Sequence, residues 1–130
     1  MSEQKNRLIY LATPYSHRDP VVRERRFKEA CRIAAHFISE GWLVFCPIAH
    51  GHPIAVAGEN VYKPDRLFDT CWLPKNWDYW QKFDCKMLSA CDELWVVMMD
   101  GWEESKGIDG EIDMAADLEK PIRFIDVSAL

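Results

Sequence analysis

The sequence predicts a three-layer α/β sandwich of flavodoxin-like or Rossmann-like type, with a parallel sheet of four to five strands in strand order 2-1-3-4. Short apolar runs rich in β-prone residues alternate with segments of helical periodicity. The runs are mainly apolar instead of alternating with polar residues, as strands buried on both faces are. A chain of 130 residues with 48% apolar composition and no internal repeat or linker forms one domain.

The first part of the chain reads as a β-α-β unit over residues 8 to 46. "RLIYLA" predicts a first strand that ends in the turn-like "TPYSHRDP". Asp19 and Pro20 suit the N-cap and the first position of a helix, which ends at Gly41. Its apolar residues at helical spacing are Phe27, Ala30, Ala34, Phe37 and Ile38. "WLVFC" then predicts the second strand.

The rest of the chain continues the alternation after an irregular segment. From Pro47 to about Leu73 the periodicity fails, which predicts a long loop. A second helix is expected from about Pro74, since its apolar residues share one face. These are Trp77, Trp80, Met87, Leu88 and Cys91. "ELWVVMM" predicts the third strand, a third helix runs from about Gly107 to Leu118, and "IRFIDV" predicts the fourth strand.

Strand order 2-1-3-4 brings the "TPYSHRD" loop after strand one beside the "DGWEESKG" loop after strand three, where such sheets bind ligands. Both loops open onto helix N-termini, which favour a phosphate or carboxylate. Gly101, Gly107 and Gly110 permit a close approach, and we expect Gly107 to contact the substrate. They match neither the dinucleotide fingerprint nor the P-loop, so no NAD or ATP cofactor is indicated.

Two carboxylates lie where the helical spacing predicts inward-facing side chains. Asp84 falls in the apolar stripe of the second helix, and Glu111 lies between Ile108 and Ala115 on the third. An inward carboxylate is costly unless it is paired or used. The structural alternatives stay open: Glu111 as a first-turn acid that complements the helix dipole, and Asp84 as a helix-edge acid that reaches solvent or a loop amide.

Together the two carboxylates suit a retaining glycosyl transfer, in which one acid attacks an anomeric carbon and the other shares a proton. The helix N-terminus is expected to keep Glu111 ionised as the nucleophile. Burial is expected to raise the pKa of Asp84 toward the range of a proton donor.

Four segments carry a resemblance to a known superfamily: "IYLATPYS" at 9–16, "FDCKMLSACDELWVV" at 83–97, "SKGIDGEI" at 105–112 and "EKPIRFI" at 119–125. In order and spacing they resemble the nucleoside 2-deoxyribosyltransferase superfamily, which includes hydrolases of 2'-deoxynucleoside 5'-monophosphates. Within it the chain looks most like a branch of unknown function with a "PIAHGHPIA" type segment. The resemblance does not cover residues 48 to 80.

The resemblance implies roles for three residues. Glu111 would attack C1' of a deoxyribose, Asp84 would contact the sugar or shuttle a proton, and the Tyr10 hydroxyl would bond the nucleophilic Glu111. It also implies a homo-oligomer, because subunits of this superfamily associate and can complete one another's sites.

The substrate contacts implied by the resemblance favour a phosphorylated substrate. Ser105 matches a position held by an acid in the base-exchanging enzymes and by a phosphate-binding Ser in the monophosphate hydrolases. The phosphate-binding Ser and Arg of those hydrolases after strand one are absent here. Phosphate binding would then depend on Thr13, Ser16, His17 or Arg18.

The unmatched middle segment carries histidines and aromatic residues. His50 and His52 in "AHGHP" alternate along an extended chain and could reach one ion, but no third ligand is evident, so we expect hydrogen-bonding or ligand-facing histidines and no metal. Aromatic residues here could stack on a base; core packing or a subunit interface is the alternative, favoured for Trp80. They are Trp72, Trp77, Tyr79 and Trp80.

Composition restricts the partners. A net charge of -5 argues against a nucleic acid polymer. No apolar stretch is long enough for a bilayer, and "MSEQKNR" lacks the apolar core of a secretory signal. The five cysteines are odd in number and form no C-x-x-C pair, which suits reduced thiols. We therefore expect a cytoplasmic protein that acts on a small molecule.

The sequence and the resemblance together predict an enzyme that cleaves or transfers the N-glycosidic bond of a deoxynucleoside or its 5'-monophosphate through a covalent intermediate on Glu111. A protein that binds a nucleotide or nucleotide sugar without chemistry is the first alternative. An enzyme that cleaves the nicotinamide bond of NAD is the second.

Overall fold

The structure is a computed structural model that describes residues 6–59 and 77–130, without the side chains of residues 59 and 77–79. Four strands are present in it: β1 (Leu8–Ala12), β2 (Leu43–Phe45), β3 (Glu93–Val97) and β4 (Ile122–Ile125). The α-helices of the described residues are α1 (Pro20–Ser39), α2 (Pro47–Glu59), α3 (Trp77–Ala90) and α4 (Lys106–Asp117), and a short 3-10 helix spans Trp102–Glu104.

The four strands form one parallel sheet in the order β2-β1-β3-β4. Tyr10 of β1 lies opposite Phe45 of β2 on one side and Leu94 of β3 on the other. Each parallel connection crosses over through a helix, as parallel pairing requires. The predicted α/β sandwich and its strand order are confirmed.

Helices cover both faces of the sheet, so alternate residues of each strand enter different cores. Ile9 and Leu11 of β1 pack with Ile33 of α1. Tyr10 and Ala12 face the other way, into a core that also contains Leu88 of α3 and Ile108 and Ala115 of α4. All of these side chains are 0 to 1% exposed. The catalytic candidates on α3 and α4 therefore share one face of the sheet.

The helix start predicted from Asp19 and Pro20 is confirmed, and the helix expected from about Gly107 begins at Lys106, after an N-cap at Ser105 that was not predicted. Asp19 accepts a hydrogen bond of 2.9 Å from the N–H of Val21, with Pro20 in the first turn of α1. Ser105 accepts one of 3.1 Å from the N–H of Ile108 at the start of α4. These caps satisfy N–H groups that have no partner inside the helix.

The prediction of a loop from Pro47 onward is wrong, because residues 47–59 form helix α2. Its inward positions hold His52, Ala55 and Gly58, all buried. One imidazole and two small residues do not produce the apolar periodicity by which a helix is recognised. Burial against α1 and β1 outweighs the cost of Pro53 inside the helix. The helix start predicted near Pro74 lies outside the described residues.

Within residues 6–59 and 77–130, no helix combines the length and the apolar character needed to cross a membrane.

Candidate active site

A cavity that is open to solvent lies where β1, β2 and β3 end. The loop after β1 contributes Thr13, Tyr15 and Ser16 to its wall, and the start of α4 contributes Ser105 and Gly107. Residues of α2 and α3 close the remaining sides. The loops after β1 and β3, which were predicted to lie side by side, both line this cavity.

Glu111, which lines this cavity, makes a buried hydrogen bond with Tyr10. The Tyr10 hydroxyl donates a hydrogen bond of 2.5 Å to Oε2 of Glu111. Tyr10 is 0% exposed and Glu111 4% exposed. The hydroxyl is carried by the central part of the sheet, so it fixes where the Glu111 carboxyl lies in the cavity wall.

Asp84 completes a group of three with Glu111 and Tyr10. It projects from α3 into the same cavity and is 7% exposed. Its charge acts on both Tyr10 and Glu111. Neither carboxylate is therefore a surface acid. The first-turn acid of α4 is the exposed Asp109.

The pKa values of both carboxyls are raised. Burial raises the pKa of Asp84 to about 7. Burial also raises the pKa of Glu111 to about 8; the Tyr10 hydrogen bond opposes this increase, and the neighbouring Asp84 adds to it. Glu111 lies beyond the first turn of α4, where the helix dipole is weak, so the expected effect of the helix N-terminus on its charge is small, and burial shifts its pKa upward instead.

Thr13 lines the cavity and has a buried hydroxyl without a partner among the described residues. The residue is 5% exposed. Buried polar atoms are otherwise almost always paired. Thr13 directly follows β1, whose last residue is Ala12.

Two of the predicted phosphate ligands point elsewhere. His17 and Arg18 are exposed and do not line the cavity. His17 Nδ1 accepts a hydrogen bond from the N–H of Asp19, and its carbonyl accepts one from Arg23. Of the residues named after strand one, Thr13 and Ser16 line the cavity.

His52 is held by protein groups on both ring nitrogens. Its Nε2 lies 2.8 Å from Oε1 of Glu24, and its Nδ1 lies 2.7 Å from the Tyr15 hydroxyl. Its ring also stacks on Phe27 at 4.3 Å. His52 therefore ties α2 to α1 and to the loop after β1, which is a structural role.

His50 and His52 do not act as the alternating pair that an extended chain would present. On a helix, residues two apart face different directions. Both line the cavity, but His52 is buried and His50 is exposed. No three His, Cys, Asp or Glu side chains among the described residues are grouped to hold a metal ion.

The aromatic wall differs from the predicted one. Trp72 lies outside the described residues, and so do the side chains of Trp77 and Tyr79. Trp80, for which core packing was favoured, lines the cavity. The sequence analysis missed Phe83, which lines the cavity beside it, and only its place before Asp84 could have indicated it.

Arg26 holds the two cavity loops together, which sequence analysis also missed. Its Nη1 donates a 3.0 Å hydrogen bond to the Ser16 carbonyl. Gly101, in the loop after β3, has a φ of +88°, and a Cβ there would lie 2.3 Å from Nη2 of Arg26. The guanidinium thus occupies space that only glycine leaves free.

Comparison with known proteins gives a family but no activity. No curated protein matches the chain. A family model described as "Domain of unknown function (DUF1937)" matches residues 7–126, which include every described residue of the cavity wall. The chain therefore belongs to the DUF1937 family.

Proposed function

We propose that this protein cleaves or transfers the N-glycosidic bond of a deoxynucleoside or its 5'-monophosphate, as a member of the nucleoside 2-deoxyribosyltransferase-like superfamily. One observation carries the proposal. A buried Glu111, oriented by the Tyr10 hydroxyl at 2.5 Å, shares a cavity with a second buried carboxyl, Asp84. Covalent glycosyl transfer needs two carboxyls in one cavity, one as the nucleophile and one as the acid and base, and different surroundings can give them these roles.

The first half-reaction uses both carboxyls. Ionised Glu111 attacks C1', the bond from C1' to the base nitrogen breaks with its electron pair on the base, and Asp84 gives the base a proton. With pKa values of about 7 for Asp84 and about 8 for Glu111, the pair holds about one proton near neutral pH, and the reacting form is the one in which that proton is on Asp84 and Glu111 is ionised. The hydrogen bond from Tyr10 favours the ionised form of Glu111, and the positive charge that develops on the sugar favours it further.

The second half-reaction restores both groups. Water, or the nitrogen of an incoming base, attacks C1' and releases Glu111 as a carboxylate. Asp84 takes up the proton that the attacking group loses. Hydrolysis and transfer thus differ only in the acceptor that reaches C1'.

Small hydroxyl groups near the acids support a sugar or sugar phosphate as ligand. Thr13 supplies the unpaired buried hydroxyl, and Ser16 lies beyond it on the same loop. The start of α4 at Ser105 and Gly107 adds the positive end of a helix dipole. Sugar hydroxyls and a 5'-phosphate both suit such donors.

We also propose that the enzyme works in the cytoplasm as a homo-oligomer. The cysteines of the described residues, Cys31, Cys46, Cys85 and Cys91, are free thiols. This state agrees with a reducing compartment. The resemblance described above supports the oligomer.

The deciding experiment measures base release. Wild type and Glu111→Gln are incubated with deoxynucleosides, their 5'-monophosphates, ribonucleotides and NAD, and the released base is separated by chromatography. We expect release from a deoxynucleoside or its monophosphate by wild type alone, and a glycosyl ester on Glu111 in the quenched protein by mass spectrometry. Asp109→Asn, which removes the exposed acid from the same helix, should keep the wild-type rate.

Each other result rejects the proposal. Full activity of Glu111→Gln would exclude the covalent mechanism. Release of nicotinamide from NAD with inert deoxynucleotides would select the NAD alternative. Tight binding of a nucleotide without product would leave a binding protein.

A further inference from the structure

Two aromatic rings from different helices lie face to face at the cavity. The rings of His50 on α2 and Phe83 on α3 are parallel within 3°, with centroids 5.1 Å apart. Trp80, one turn before Phe83, meets the Phe83 ring edge-on at 6.1 Å and 89°. All three side chains line the cavity. His50 and Phe83 cover one face of each other, and Phe83 still keeps 38% of its surface exposed. We call this cluster of His50, Trp80 and Phe83 at the cavity wall the aromatic platform.

The platform is separate from the two cores of the sheet. Phe83 is 38% exposed within the described structure, and neither it nor His50 belongs to either core. Burial in a core therefore does not account for a large apolar ring at this position. Aromatic faces that line a cavity bind planar rings, since offset stacking removes both faces from water.

The platform lies next to the catalytic candidates. Phe83 and Asp84 are consecutive residues of α3, yet Phe83 is exposed at the rim whereas Asp84 is buried at 7% exposure. A flat ring stacked on the exposed part of Phe83 would therefore share the cavity with Asp84, which is buried in the same wall. A nucleoside has this shape, because its base is planar and its C1' is attached directly to the ring.

We propose that Phe83 and His50 form the base-binding subsite and determine which ring the enzyme accepts. The inference rests on the function proposed above, because it identifies the ring as a nucleobase. Nicotinamide is also a planar heteroaromatic ring and would stack in the same way. The test therefore includes both kinds of ring.

The test measures equilibrium binding of free adenine, thymine and nicotinamide to the full chain by calorimetry, so it does not depend on catalysis. Phe83→Leu keeps an apolar side chain without a π face, and Phe83→Tyr keeps the ring. We expect Phe83→Leu to weaken binding of adenine or thymine by about 5- to 100-fold, the range found for stacking of one base. Phe83→Tyr should bind within about twofold of wild type.

A matched control and a second measurement keep the inference testable. Phe124 on β4 is another exposed phenylalanine, with 47% of its surface accessible. The Phe124→Leu variant should bind adenine and thymine as wild type does. If Phe83→Leu binds the bases as tightly as wild type, or if no base binds measurably, the subsite is rejected. If nicotinamide binds and neither adenine nor thymine does, the assignment of the subsite to a nucleobase is rejected.

The two proposals fail separately. If the bases bind through Phe83 but no glycosidic bond is cleaved, the subsite stands and the proposed function fails. If wild type releases base and Phe83→Leu has an unchanged KM for every substrate, the function stands and the subsite fails.

Discussion

The Tyr10 hydroxyl on the central strand β1 donates a 2.5 Å hydrogen bond to Glu111 on helix α4, and both residues are almost fully buried. Strands move little relative to one another in a packed sheet, so β1 gives Glu111 a rigid reference point. The same bond lowers the pKa of Glu111 against the effect of burial. Tyr10 therefore influences both the position and the charge of the proposed nucleophile.

Tyr10→Phe should reduce turnover at pH 7 by about 10- to 100-fold, the usual value of a hydrogen bond to a charged group. Without the hydroxyl the pKa of Glu111 rises further, so the ionised fraction at a given pH falls. The acidic limb of the kcat against pH profile should move to higher pH. Kinetics from pH 5 to 9 measure this shift, and a profile that keeps its wild-type shape would contradict the role of Tyr10.

The stability of the protein should fall as the pH rises from about 4 to 8. The pKa of Glu111 increases on folding from an ordinary 4.5 to about 8, so its contribution to stability is complete below 4.5 and is lost as the pH passes through 8. Asp84 acts in the same direction between 3.8 and about 7. Thermal unfolding at several pH values measures the slope.

Glu111→Gln should flatten this dependence and raise the free energy of unfolding at pH 8 by a few kcal/mol, at about 1.4 kcal/mol for each pKa unit. The amide keeps the size of the side chain and has no charge to bury. Asp109→Asn is the matched control, because that exposed acid should leave the slope unchanged. An unaltered slope in Glu111→Gln would show that Glu111 is ionised throughout this range.

Thr13→Val should affect stability and substrate affinity in opposite directions. The Thr13 hydroxyl is buried without a partner in the described structure, so an isosteric methyl should leave stability unchanged or raise it by about 1 kcal/mol. The substrate loses a hydrogen bond, and KM should increase by about 10-fold. Urea unfolding and steady-state kinetics measure the two effects. A marked loss of stability would mean that the hydroxyl is paired inside the protein.

Gly101→Ala should destabilise the protein by about 1 to 3 kcal/mol, because the residue has a positive φ and the new Cβ would displace Arg26. Gly51→Ala is the matched control for stability. A Cβ at Gly51 meets the Trp80 ring at an ordinary 3.9 Å, and alanine favours the helix. Urea unfolding should therefore separate the two variants, and equal effects would contradict the proposed clash with Arg26.

His52→Ala should lower the free energy of unfolding by about 2 to 4 kcal/mol, since it removes a buried ring and the partner of the Tyr15 hydroxyl. His50→Ala removes an exposed imidazole and should change stability by less than about 1 kcal/mol. Thermal unfolding compares the two. Similar values for both would mean that the contacts of His52 contribute nothing to stability.

Local patterns were sufficient for most of the fold. The strands, the cap at Asp19 and the inward faces of Asp84 and Glu111 follow from spacing within a few residues. Helix α2 could not be recognised in this way, because its inward face holds His52, Ala55 and Gly58 instead of large apolar residues. Its stability comes from contacts with α1 and β1.

The sequence by itself therefore determined the layers, the strand order and the presence of two inward carboxyls, because these depend on periodicity and on short-range sterics. Only the tertiary structure decided the charge state and the surroundings of those carboxyls. Tyr10 and Glu111 are 101 residues apart in the chain, and the burial that raises the pKa of Glu111 exists only when the sheet and α4 are packed. The same packing brought His50 against Phe83 and enclosed His52 between Glu24 and Tyr15.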